Sequence, residues 1–164
     1  MHKKNKNGLS PMDYALSYLT SKDRTYWEMQ NYLDTKNFGE ADIESTLNRL
    51  SELGMIDDKK YAIRFVQTRL ASKPLSSEHI KRQLLDHHIS MDLIQEALEQ
   101  ISDDSDLVNA CEIAKKFYRQ FANLETEKRR SRILSRLQSR GFPIDICYKA
   151  YQAACDSCSE EADN

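Results

Sequence analysis

The chain has 164 residues with a formal net charge of −2 and a sequence pI near 6.1; 30% of its residues are charged and 40% hydrophobic. Only 4 Gly and 3 Pro interrupt it, which argues against a many-turned β protein and for a helical one. No apolar run approaches the roughly 18–20 residues of a membrane span, and the near-neutral charge gives no support for tight non-specific DNA binding.

The opening stretch, residues 1–10, is basic with no apolar region behind it, so it is read as a flexible N-terminus and not as a secretion signal. With no export signal, the four cysteines are expected to be reduced thiols in a cytoplasmic protein. The first amphipathic helix carries "YALSYL" (14–19). Thr25-Tyr26-Trp27-Glu28 then forms a capping box, in which Thr and Glu satisfy each other's backbone donors at the start of a second helix. That helix, "MQNYLDTKNF" (29–38), carries Met29, Leu33 and Phe38, and Ile43, Leu47 and Leu50 follow at helical spacing.

The same pattern returns twice. "YAIRFV" (61–66), with Asp57 or Asp58 as its cap, echoes the first helix. "IKRQLLDHHI" (80–89) supplies Ile80, Leu84 and Ile89, and Ser90 caps a helix bearing Ile94, Leu98 and Ile101. "ACEIAKKF" (110–117) opens the third copy more loosely. "ILSRLQSRGF" (133–142) supplies Ile133, Leu137 and Phe142, and Cys147, Tyr151 and Ala154 complete the face. Gly141 falls where a helix ends in a left-handed residue, and Pro143 suits the first turn of the next helix. The joint between second and third helices is built again from Asn37-Phe38-Gly39 and His88-Ile89-Ser90. The expected fold is therefore all-α: three tandem three-helix repeats, at 11–56, 57–102 and 103–156, with an acidic tail at 157–164. Such units gain stability by stacking on their neighbours.

Charge is segregated. Residues 59–82 carry seven basic side chains against Glu78 alone, and residues 127–140 carry six against Glu127. Residues 40–58 and 92–106 are strongly acidic. At about 100° per residue, Arg129, Arg132, Arg136 and Arg140 share one helical arc, with Ile133 and Leu137 at its apolar edge. Arg130 falls on the apolar side, where its stem can pack while its head reaches water. A basic stripe of this kind can meet phosphates or an acidic protein surface, and it can equally be a solvated face balanced by acidic helices. The candidate partner-binding residues are Arg64, Arg69, Lys81, Arg82, Lys128, Arg129, Arg132, Arg136 and Arg140.

Other chemistry is poorly supported. Cys155 and Cys158 form a lone CxxC, without the second ligand pair a structural zinc needs, and Cys111 and Cys147 fall on helix faces. His87 and His88 point in different directions and read as a helix-end loop. Tyr14, Tyr61 and Tyr151 read as packing residues, whereas Trp27 is open to either role. No GxxxxGK, GxSxG or HExxH occurs, so no catalytic residue, metal or cofactor is assigned.

Three stretches, "YALSYLTSKDRTYWEMQNYL" (14–33), "LGMIDDKKYAIRFVQTR" (53–69) and "ILSRLQSRGF" (133–142), resemble the RecX family of regulatory proteins in order and separation. The resemblance spans roughly residues 13–155. It implies an elongated, curved helical array without catalytic activity. It implies binding to RecA filaments on single-stranded DNA, and restraint of recombinase, ATPase and co-protease activity in DNA repair. Direct DNA binding would then be weak, ATP would belong to the partner, and neither a membrane nor a small-molecule substrate is implied. The chain departs from the family at Lys73-Pro74, at His87-His88 where Lys/Arg-Gly is usual, and at Met29 where Leu is typical. A rival reading is a sequence-specific DNA-binding protein with helix-turn-helix-like units and residues 127–140 as reader; a pure interaction scaffold is a third.

Overall fold

A computed structural model of the chain describes residues 8–72, 75–99 and 105–160. Lys73-Pro74, Ile101, the basic residues 1–7 and the end of the acidic tail lie outside the described residues. Within them the chain is helical throughout: α1 (Pro11–Leu19), α2 (Tyr26–Asp34), α3 (Glu40–Glu52), α4 (Asp58–Ser72), α5 (Ser77–Asp86), α6 (Met91–Leu98), α7 (Ser105–Gln120), α8 (Thr126–Gln138) and α9 (Ile144–Glu160).

Helix starts follow local chemistry. Ser10 and Asp13 form a capping box at α1, with Pro11 at the first helical turn. Thr25 and Glu28 form the expected one at α2. Between the two aspartates before α4, Asp57 is the cap: its carboxylate accepts the Lys60 N–H at 2.9 Å. Asp58 instead accepts the Tyr26 N–H at 2.8 Å, an orphan donor at the start of α2, 32 residues away in sequence. Pro143 stands at the cap position immediately before α9, one residue earlier than expected, where its carbonyl accepts the Cys147 N–H.

The three joints share one backbone device. Asn37, His88 and Gly141 adopt φ of 60°, 57° and 83°, and each N–H donates to the carbonyl three residues back. The left-handed residue closes the helix C-terminus in each case. Asn and His tolerate this conformation better than most side chains, so two joints need no glycine. The third does. A Cβ on Gly141 would lie 2.7 Å from both His79 Cβ and Ser76 Oγ, because Ser76 N–H reaches the Arg140 carbonyl at 3.2 Å. Close backbone approach, not turn geometry alone, makes this position a glycine.

The chain divides into two compact units, residues 1–65 with 84–97 and residues 66–83 with 98–164; the division falls within α4 and α5. In the first unit, α1, α2 and α3 pack mutually around Ala15, Met29, Leu33, Phe38, Ile43, Leu47, Leu50 and Ile56. In the second, α7 and α9 form the most extensive helix pair, and α8 packs on both. Its core holds Ala110, Ile113, Ala114, Ile133, Leu137, Phe142, Cys147, Ala150 and Ala154. All nine residues of the repeated triplets are buried, Met29-Leu33-Phe38, Ile80-Leu84-Ile89 and Ile133-Leu137-Phe142 alike. Burying a side chain of this size is worth about 1.5–3 kcal/mol each, so the repeated positions carry much of the fold's stability.

Candidate functional site

The second unit presents the arginine arc of α8. Ile133 and Leu137 are fully buried, which fixes the helix rotation and turns the arginines toward α7 and solvent. There each guanidinium lies over an aromatic ring. Arg129 sits 4.6 Å from the Tyr118 centroid, Arg132 5.9 Å from Phe121, Arg136 5.8 Å and Arg140 5.5 Å from Phe117. Phe117 and Phe121 are themselves stacked, with centroids 5.6 Å apart. Arg130, on the other side, reaches the rings of Tyr148 and Tyr151 on α9. Cation–π contacts of this kind hold a planar guanidinium in place while leaving its donors available.

Eight of the nine expected partner-binding residues fall in this second unit; Arg64 alone belongs to the first, where it pairs with Asp23 at 2.9 Å. Lys128 is paired with Glu125 one turn away. Arg69 and Lys81 are half-buried on α4 and α5, and Arg82 is exposed. Arg132 and Arg136 are exposed and make no ion pair with any described carboxylate. The guanidinium of Arg140 donates to the Arg136 carbonyl at 2.9 Å.

Sequence patterns did not reveal a polar cluster in the first unit. Thr25 is wholly buried; its hydroxyl donates to the His87 carbonyl at 3.0 Å and accepts the Glu28 N–H at 3.2 Å. The Glu28 carboxylate meets His87 Nδ1 at 3.0 Å, and the His87 ring stands edge-on to Tyr61 and Phe65. His88 stacks on Trp27 with centroids 3.5 Å apart. The adjacent histidines do point differently, but each has a partner from α2, roughly 60 residues away. Only the capping-box glutamate itself could have hinted at the first pair. The cluster fastens the start of α2 to the end of α5 through the Thr25 hydroxyl, the Glu28 carboxylate and the stacked Trp27–His88 pair.

Burial pushes the Asp58 carboxyl above the usual carboxylate range, whereas the Lys60 N–H draws Asp57 below it. Burial raises the Cys111 and Cys147 thiols, which therefore stay protonated at neutral pH and are weak nucleophiles and ligands. The Tyr151 hydroxyl is pushed up to about 12, first by burial and then by the Cys155 side chain. Among the described residues no group of three His, Cys, Asp or Glu side chains converges as a metal site. No described helix is long and apolar enough to cross a membrane. A groove of about 670 Å³ runs between α2 and α3 in the first unit, with Trp27, Asp34, Glu40 and Glu44 among the residues that line it.

Successive three-helix elements with matching joints define a tandem helical-repeat protein, the third element carrying an arginine face. The chain matches the first, second and third three-helix domains of RecX at residues 12–50, 57–98 and 104–151. The regulatory protein RecX of Lactococcus lactis subsp. cremoris (strain SK11) is 33% identical over 91% of this chain and 55% of its own length. That of Chlorobium phaeobacteroides (strain BS1) is 31% identical over 79% of this chain and 83% of its own. The crystal structure of RecX from Lactobacillus salivarius superposes with a TM-score of 0.76 at 25% identity, covering 88% of this chain and 94% of that one. The chain belongs to the RecX family of regulatory proteins. It spans about half the length of the Lactococcus lactis and Bacillus pumilus relatives.

Proposed function

We propose that this chain is a non-catalytic regulator that binds RecA filaments on single-stranded DNA and restrains the recombinase, its ATPase and its co-protease activity. The observation that carries the reading is the presence, in order, of all three RecX three-helix domains along one chain whose relatives are named regulatory proteins. The arginine face of α8 supports a polyanionic or acidic counterpart, since its charges are held by rings and left without carboxylates.

Charge reversal tests the surface. Arg132→Glu, Arg136→Glu and Arg140→Glu together should weaken inhibition of RecA-driven strand exchange at least tenfold, with helicity and Tm unchanged. Full inhibition by the triple variant would remove these residues from the interface. A sequence-specific reader would instead shift one short duplex in preference to others, with RecA absent, and with a steep salt dependence.

A further inference from the structure

One place on the arginine face has a shape and chemistry of its own. Phe121, Ser131, Arg132, Ser135 and Arg136 line a concavity of about 350 Å³ whose walls contain no carboxylate. Its polar groups repeat: Ser131-Arg132 and Ser135-Arg136 are identical dipeptides four residues apart, one turn along α8. The rise between them is about 6 Å, comparable to one nucleotide step of an extended strand. The two guanidiniums are steadied over Phe121 and Phe117, which limits the rotamer freedom lost on binding. Neither Ser131 nor Ser135 donates its hydroxyl to a described protein acceptor, unlike Ser139, which bonds back to the Arg136 carbonyl at 3.0 Å. The nearest acidic side chain of the helix, Glu127, lies one turn before Ser131 and does not line the concavity.

We infer that this concavity is a phosphodiester site: two Ser-Arg pairs that take consecutive phosphates of a single-stranded nucleic acid. Each guanidinium offers a fork of donors matched to a phosphate, and each serine adds a neutral donor beside it. An acidic protein surface needs only the positive charge; a phosphate pair also uses the fork and the hydroxyls. The inference rests on the filament reading in one respect, because it makes the strand inside the filament a direct contact of this chain. It assigns sequence-tolerant contact only, since backbone phosphates carry no base information.

The experiment is anisotropy of a fluorescent oligothymidylate titrated with the full chain at stepped salt concentrations. Its variants are R132Q/R136Q, R132K/R136K and S131A/S135A, with K22Q/K60Q in the other unit as a control of equal charge change. Losing two phosphate contacts should lower the magnitude of the log–log salt slope by about 1.4, at about 0.7 per phosphate on single strands. R132Q/R136Q should weaken binding at least tenfold. R132K/R136K should keep the slope and still weaken binding several-fold, S131A/S135A should weaken it two- to fivefold, and K22Q/K60Q should change nothing. Equal losses for R132Q/R136Q and K22Q/K60Q would overturn the site, as would full affinity in R132K/R136K together with S131A/S135A. The same proteins assayed for RecA inhibition separate the two claims. Inhibition by a wild-type chain that ignores oligothymidylate defeats the phosphate site alone. Arginine-dependent binding to the oligomer without any effect on RecA defeats the filament reading alone.

Discussion

Gly141→Ala is the perturbation whose cost the structure specifies most closely. At φ 83° an alanine takes a left-handed conformation that costs about 1–2 kcal/mol. Stiffening the unfolded chain returns about 0.4–1 kcal/mol. The new methyl would also stand 2.7 Å from His79 Cβ and Ser76 Oγ, closer than ordinary van der Waals contact. Neither atom is the far end of a flexible chain, so α5 must retreat from the end of α8, at about 1–3 kcal/mol for overpacking. Gly54→Ala is the internal control. Its φ is 65°, yet no atom lies within 4 Å of the added methyl, so it bears the conformational cost alone. The net expectation is about 0.5–1.5 kcal/mol for Gly54→Ala and about 2–4 kcal/mol for Gly141→Ala. Urea unfolding followed by far-UV circular dichroism reads both. Where the two units unfold in separate steps, each variant should move the transition of its own unit. A Gly141→Ala loss no larger than that of Gly54→Ala would refute the argument that α5 approaches this joint closely.

Two further substitutions probe the first unit. Thr25→Val keeps the shape but removes a donor to the part-buried His87 carbonyl and the α2 cap, and should cost about 2–4 kcal/mol in urea unfolding. Thr25→Ser should recover most of that loss. Asp58→Ala strands the Tyr26 N–H and should cost about 1–3 kcal/mol. Asp58→Asn keeps an acceptor while removing a charge that burial and the neighbours Asp57 and Glu28 disfavour, so at neutral pH it should unfold at the same or higher temperature than wild type. A carboxyl raised in the folded state contributes stability below its unfolded value and loses it as pH rises through the folded one. The gain of Asp58→Asn should therefore shrink as pH falls through that range, and a gain that grows toward low pH would reverse the assignment.

What the sequence disclosed follows the range of each interaction. The nine triplet positions, the Thr25–Glu28 box and the left-handed Gly141 depend on neighbours within about two turns, and all were legible from spacing. The arc of Arg129, Arg132, Arg136 and Arg140 was legible as one helix face, but not the rings beneath it, Phe117 and Tyr118 on α7 and Phe121 just after its end. Asp58 illustrates the same limit: its sequence position suits a cap for α4, while its partner is the start of α2. His87 and His88 read as a loose helix end because their partners Glu28 and Trp27 lie about 60 residues away. The need for glycine at the third joint, where Asn37 and His88 serve at the others, became clear only with Ser76 and His79 in place.

The central claim is that this family member acts on RecA. The most direct measurement is the rate of RecA's DNA-dependent ATP hydrolysis on single-stranded DNA with the purified chain added well below the RecA concentration. The account predicts a dose-dependent fall in rate, diminished by reversing Arg132, Arg136 and Arg140. A hydrolysis rate that stays level up to equimolar protein, with the chain folded and RecA filaments present, would contradict it.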